Sequence, residues 1–141
     1  MKMVNTIDMQ DIMHLNLFSQ ITKIDTRFCA KYNNAIIFCV PKSLLARAVG
    51  EQGKNLRRLS ETFGKKIRII PIPRGLNDAR GFIQTLVKPV MFKDFEIKGN
   101  EIIITAGNIQ NKAALIGRDK RRLIELEKIT KDFFGKDLKI I

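Results

Sequence analysis

Two stretches of helical apolar spacing flank a pair of glycines in the first half of the chain. Leu44, Leu45, Ala48 and Val49 share one helical face before Gly50, and Leu56, Leu59 and Phe63 share one after Gly53. Ahead of them, Met9, Ile12, Met13, Leu17 and Ile21 recur at helical spacing and predict an amphipathic helix over 7–21, packed on the rest of the first half. Thr6 suits its N-cap and Asp8 its first turn. Runs 26–32 and 35–40 read as strands, and Asn33-Asn34 between them suits a two-residue hairpin because Asn tolerates positive φ. Such a hairpin pairs Tyr32 with Ala35, Cys29 with Phe38 and Phe28 with Cys39, which sends the two cysteines to opposite faces. Pro41 closes the second strand, Gly64 suits the C′ position of the helix over 54–63, and 65–72 reads as a third strand.

The second half repeats this order. Asn77 or Asp78 can cap a helix carrying Phe82, Ile83 and Leu86, which Pro89 ends. Strands are predicted over 90–97 and 101–106 around the turn Gly99-Asn100, then a helix from Asn108, the interruption at Gly117, a long helix over 120–134 and a last strand over 136–141. The copies match in residues as well as in pattern. Ala48-Val49-Gly50 corresponds to Leu115-Ile116-Gly117, and Phe63-Gly64-Lys65 to Phe134-Gly135-Lys136. The first pair of glycines lies 67 residues apart and the Phe-Gly pair 71, so the second copy holds four extra residues between those landmarks, about one helical turn. The pattern predicts an α+β duplication, with modules at 1–73 and 74–141 joined at the proline-bearing 71–75. Modules this small stand near the lower limit for folding alone, so they are expected to lean on each other.

Charge sharpens the picture. The chain of 141 residues carries a net +12, and the excess is spread over both halves, with 12 cations against 5 anions in 1–73 and 14 against 9 in 74–141. A folded basic protein of this kind points to nucleic acid, with an anionic membrane surface as the rival. No apolar run reaches the 18 to 20 residues of a membrane span. Cys29 and Cys39 sit in strand-like apolar sequence and make no zinc site, so no metal or other cofactor is expected. His14 lies beside the predicted helix stripe with no Ser, Cys or carboxylate pair near it, and reads as a surface or half-buried residue. A nuclease would need a carboxylate cluster or a base–nucleophile pair, and Asp25, Asp94 and Asp119 fall in unrelated elements. The expectation is a binding protein, not an enzyme.

The chemistry concentrates at the glycine turns. Gly50-Glu51-Gln52-Gly53 is followed at once by Lys54, Asn55, Arg57 and Arg58. A close-approach turn, a helix N-terminus and several cations together suit a phosphate chain. The second copy reads Gly117-Arg118-Asp119-Lys120-Arg121-Arg122, with Lys120 in the place of the second glycine. A Cβ and a long side chain there are expected to restrict backbone approach, and the added cations to offset this. Glycines between two helices also serve any tight helical connection, and cation runs are often only solvated faces; the duplicated context favours the functional reading for the first copy.

The order αββααβ with a GxxG-type turn between paired helices resembles the KH fold of type II. Two such modules joined by a few residues resemble the archaeal NusA-like transcription factors, over nearly the whole chain. The resemblance implies single-stranded RNA as partner, with backbone held at 50–53 and bases in an adjoining apolar groove. It also implies association with RNA polymerase, a role in transcription termination or antitermination, and a cytoplasmic location; a KH protein of ribosome or RNA assembly is the alternative. Glu51 and Gln52 depart from the family's frequent cation in the middle of the turn. With nine Phe, one Tyr and no Trp, most Phe at core spacing, an aliphatic groove is favoured over an aromatic platform.

Overall fold

The computed structural model describes residues 9–141. The chain divides into two compact units at the bond between Ile72 and Pro73. The first comprises α1 (Met9–Thr22), β1 (Phe28–Tyr32), β2 (Ala35–Val40), α2 (Leu45–Val49), α3 (Lys54–Phe63) and β3 (Lys66–Pro71). The second comprises α4 (Ala79–Val87), β4 (Asp94–Lys98), β5 (Glu101–Thr105), α5 (Ile109–Ile116), α6 (Arg121–Phe134) and β6 (Asp137–Ile140). Each unit holds one three-stranded sheet, ordered β1-β2-β3 and β4-β5-β6, so the architecture is α+β with two sheets and their helices. Within each sheet the first pair is an antiparallel hairpin and the second pair is parallel. A parallel neighbour requires a crossover, and the paired helices with their glycine turn supply it.

The first hairpin has the anticipated register: Tyr32 faces Ala35, Cys29 faces Phe38 and Phe28 faces Cys39. Asn33 and Asn34 stand at φ 52° and 61°, a turn whose twist matches that of the strands it joins. Cys29 and Cys39 form no disulfide. Every residue of β2 is buried. On one face Ile36, Phe38 and Val40 gather with Phe18, Ile24, Ala48, Leu59 and Ile67 into the core of this unit. The Phe18 and Phe38 rings stack at 4.4 Å, an arrangement that contributes about 1 kcal/mol beyond burial.

The buried face of α1 differs from the predicted stripe. Met9, Ile12 and Met13 are exposed, whereas His14, Phe18 and Thr22 are buried, with Leu15 and Ile21 packed against the core. Residues 14, 18 and 22 stack at intervals of four on one side, and apolar residues occur on both sides of this helix, so spacing alone found Ile21 but missed the face that turns fully inward. His14, read as surface or half-buried, is 7 % exposed and meets the edge of Phe63 at 5.1 Å. Thr22 is tolerated inside because its hydroxyl donates to the Phe18 carbonyl at 2.8 Å. The predicted cap Thr6, Asp8 and the helix start at 7 lie outside the described residues.

The second unit departs from expectation in one segment. The strand expected over 90–97 begins only at Asp94. The end of α4 claims the residues before it. The Val90 amide donates to the Val87 carbonyl at 3.0 Å, and Gln84 Nε2 donates to the Val90 carbonyl at 3.1 Å, so 88–92 turns back on the helix, and the first bond to β5 runs from the Lys93 amide to the Thr105 carbonyl at 2.8 Å. Asp78 does not cap α4; its carboxylate accepts from the Arg74 amide at 2.8 Å. Asn108 does cap α5, accepting from the Asn111 amide at 2.7 Å. The helix after the second turn has 14 residues against 10 in the first copy, which places the four extra residues in α6. Its added length carries Phe133 and Phe134 against Phe82 of α4, with centroids at 5.0 and 5.8 Å.

Burial, and to a smaller degree the neighbouring Cys29, pushes the Cys39 thiol well above its ordinary pKa. In the folded protein a thiol reagent at pH 8 should therefore modify Cys29 while Cys39 reacts only after unfolding. Mass spectrometry of labelled peptides in buffer and in concentrated urea checks this, and rapid labelling of Cys39 in buffer would contradict the burial of that thiol.

Candidate nucleic-acid interface

The two glycine turns share one backbone. Gly50 ends α2 at φ 83°, ψ 163°, and Gly117 ends α5 at φ 76°, ψ 170°. Gln52 and Asp119, the third residues, stand at φ 56° and 54°. Gly53 and Lys120, the fourth, stand at φ 73°, ψ 20° and φ 59°, ψ 21°. The amide of the fourth residue returns to the carbonyl of the first, at 3.0 Å in one turn and 3.2 Å in the other. Lys120 therefore leaves the path of the second turn unchanged. Lysine accepts the left-handed conformation at a cost of about 1 kcal/mol, and the second turn repeats the path of the first. What remains different is the side chain.

The two glycines of the first turn have separate physical reasons. A Cβ on Gly50 would lie 2.9 Å from the Asn55 amide nitrogen, and one on Gly117 would lie 2.9 Å from Arg122 Cγ and 3.1 Å from its amide nitrogen. The start of the following helix thus presses on the first glycine, and backbone atoms cannot yield. A Cβ on Gly53 would meet only Arg57 Nη1, at 3.6 Å, an ordinary contact. The first glycine is demanded by the fold, while the second could hold a Cβ against the Arg57 guanidinium without a clash.

Side chains then lock the turn. Asn55 Nδ2 donates to the Arg47 carbonyl at 3.4 Å, and Arg122 Nη1, at the matching place, donates to the Ala114 carbonyl at 3.2 Å. Both satisfy a carbonyl near the C-terminal end of the helix before the turn. Arg57 Nη1 donates to the Gln52 carbonyl at 2.5 Å. These bonds were not foreseen from the sequence, which treated Arg57 and Arg122 simply as added charge. The signal was present in the 67-residue offset, which sets Asn55 against Arg122 and Arg57 against Ile124.

The structure gathers the remaining predicted residues around each turn. Glu51, Gln52, Lys54, Arg57 and Arg58 are exposed at the first, and Arg118, Asp119, Lys120 and Arg121 at the second. Gly50, Gly53, Asn55, Gly117 and Arg122 are half-buried. Neither α3 nor α6 receives a side-chain hydrogen bond at its N-terminus, in contrast to α5 with Asn108. First-turn amides without a side-chain cap, at the positive end of the helix and ringed by cations, can accept an anion. Ion pairs elsewhere join Arg74 to Asp78, Lys98 to Glu96, Lys128 to Asp132 and Lys131 to Asp137. Among the described residues none of these involves a turn cation. Also among the described residues, no group of three or more His, Cys, Asp or Glu could hold a metal ion, and no helix is long and apolar enough to cross a membrane.

The contacts at the glycines predict an order of stability losses. Gly50→Ala and Gly117→Ala should each cost roughly 2 kcal/mol or more, since their backbone lies in a region nearly reserved for glycine and their Cβ atoms collide. Gly53→Ala should cost about 1 kcal/mol, the left-handed penalty alone. Urea denaturation of the three variants measures this; equal losses at Gly50 and Gly53 would contradict the separate roles assigned to them.

Known proteins point in the same direction. No protein-family model matches the chain. It is 27% identical over 100 residues to the probable transcription termination protein NusA of Methanococcus vannielii, an alignment spanning 70% of this chain and 56% of that protein. It is 26% identical over 125 residues to the protein of the same description from Methanocaldococcus jannaschii, spanning 86% of this chain and 67% of the relative. The chain thus spans little more than half the length of the first of these relatives and two thirds of the second. The crystal structure of APE1850 has a similar fold, with a TM-score of 0.67 over 96% of this chain and all of that one, at 21% identity. At such identity the structural likeness speaks for the fold alone, and the two sequence relatives support a NusA-related family.

Proposed function

We propose that the chain is a pair of type II KH modules that binds single-stranded RNA through its two glycine turns and acts on nascent RNA as a transcription termination or elongation factor. One observation carries this reading: the same glycine turn, opening onto a helix without a side-chain cap and surrounded by cations, occurs twice in matching frames. A backbone-binding site needs close approach, amide donors and positive charge, and each turn combines all three. The duplication supports a ligand with a repeating charge, which a polynucleotide has. The transcription setting is supported by the two relatives described as probable transcription termination proteins, and RNA polymerase is the partner that setting suggests. The cytoplasm is the compartment in which such a protein works. No catalytic or metal role is proposed.

In this reading Gly53 leaves room for phosphate, Lys54 and Arg58 neutralise it, and Glu51 points its charge away from the strand. Gly117, Arg118 and Arg121 serve the second module in the same manner. Asn55 and Arg122 hold their turns in shape, and Asp119, like Gln52, takes the left-handed third position of the turn.

Affinity for a single-stranded RNA should fall steeply with salt. If about five phosphates are neutralised, log K against log of salt concentration should slope at roughly −3 to −4. Fluorescence anisotropy over a salt series gives the slope, and a value near zero would remove the case for a backbone-tracking surface. Gly53→Asp sets an anion and a Cβ where phosphate is expected, and should weaken binding by about 1 to 2 kcal/mol. Because that Cβ makes only an ordinary contact with Arg57 Nη1, the variant should still unfold cooperatively, and unchanged RNA affinity in a folded Gly53→Asp protein would argue against the first turn as a site.

A further inference from the structure

The side chains around the fourth residue of each turn are exchanged in a reciprocal way. In the first module this residue is Gly53, and the direction its Cβ would take is occupied by the guanidinium of Arg57, with Nη1 at 3.6 Å from the ideal Cβ position. In the second module the fourth residue is Lys120, with matching φ and ψ, so its own side chain leaves the backbone in that direction. The residue equivalent to Arg57 is Ile124, which cannot supply a charge and stands 60% exposed on α6. A cation thus disappears from the helix in the copy where one appears in the turn.

We infer that the two turns deliver one cation to the same place by different routes, and that this place receives one phosphate of the RNA strand in each module. Arg57 arrives from α3 over a bare Gly53; Lys120 arrives from the turn, and α6 is relieved of the task. The inference rests on the RNA-binding reading above and assigns Lys120 as the phosphate-contacting counterpart of Arg57. Strain at Lys120 supports it. A lysine at φ 59° is disfavoured where glycine or asparagine would sit easily, and nothing in the fold asks for it: Lys120 is exposed and joins no ion pair among the described residues. A solvated lysine with no task is better placed in a helix. Arg122 corresponds to Asn55, not to Arg57, and its guanidinium reaches back to the Ala114 carbonyl on the helix before the turn.

The reciprocity makes the test specific. The full chain and its variants are titrated against a labelled single-stranded oligouridylate long enough to reach both modules, over a range of salt concentrations. Lys120→Gly should weaken binding about 5-fold near 0.1 M salt and make the salt slope shallower by about 0.7, the value of one lost phosphate contact on a single strand. Its melting temperature should hold or rise, since glycine relieves the left-handed strain. Adding Ile124→Arg to Lys120→Gly rebuilds the arrangement of the first module and should recover both affinity and slope. The opposite exchange, Gly53→Lys with Arg57→Ile, should likewise keep the slope. If the unaltered chain binds the oligouridylate but Lys120→Gly leaves affinity and slope unchanged, Lys120 is no phosphate contact and the inference fails alone. If Lys120→Gly weakens binding and Ile124→Arg does not recover it, the exchange of routes is wrong. If the unaltered chain does not bind RNA, the underlying functional reading fails instead.

Discussion

Each module depends on one steric requirement, the close approach of the second helix's start to the first glycine of the turn. The Asn55 and Arg122 amides press on Gly50 and Gly117 so closely that no side chain fits between. That contact lets α2 and α5 stop abruptly and lets α3 and α6 leave in a new direction after a single 3₁₀ turn. The same contact allows two helices to complete the crossover that brings β3 beside β2, and β6 beside β5, in parallel. It also leaves the amides at the start of each second helix without a side-chain cap. Fold and candidate site thus share one cause, since the turn that closes the crossover is the turn that displays the donors.

Around this contact the charged residues divide by task. Asn55 and Arg122 reach back across the turn to a helix carbonyl, and Arg57 reaches the Gln52 carbonyl within it. Hydrogen bonds from charged donors are about twice as strong as neutral ones, so an arginine held this way stiffens the turn while keeping further donors on its guanidinium. Lys54, Arg58, Arg118, Lys120 and Arg121 are exposed around the turns. A net charge of +12 is unfavourable for the compact state through self-repulsion, and it is retained in both modules. The concentration of exposed cations at two identical backbone cradles gives that charge a location.

Much of the architecture was legible in the order of residues. The internal repeat, the hairpin register through Asn33-Asn34, the capping of α5 by Asn108 and the one-turn extension of α6 all come from local rules: positive-φ residues at turns, side-chain caps, and the period of apolar positions. These are determined within a few residues of chain, so the chain's neighbours in space matter little to them. The candidate site was legible for the same reason, as its glycines and cations lie within nine consecutive positions in the first module and six in the second.

Other features were decided only by tertiary structure. Helix α1 carries apolar residues on both sides, and the choice of His14, Phe18 and Thr22 over Met9, Ile12 and Met13 was made by the rings of Phe38 and Phe63 that await them. The segment 90–92 has strand composition, yet bonds between Val90 and the end of α4 hold it out of the sheet. Lys120 stands where the first turn has its second glycine, and only the fold shows that it keeps the left-handed conformation of Gly53 while the steric demand of the turn falls on Gly117. Local chemistry determined which elements form and where the turns lie. Which helix face is buried, which strand pairs and which glycine cannot be replaced depend on atoms brought close by folding, and those contacts are not written in the spacing of residues along the chain.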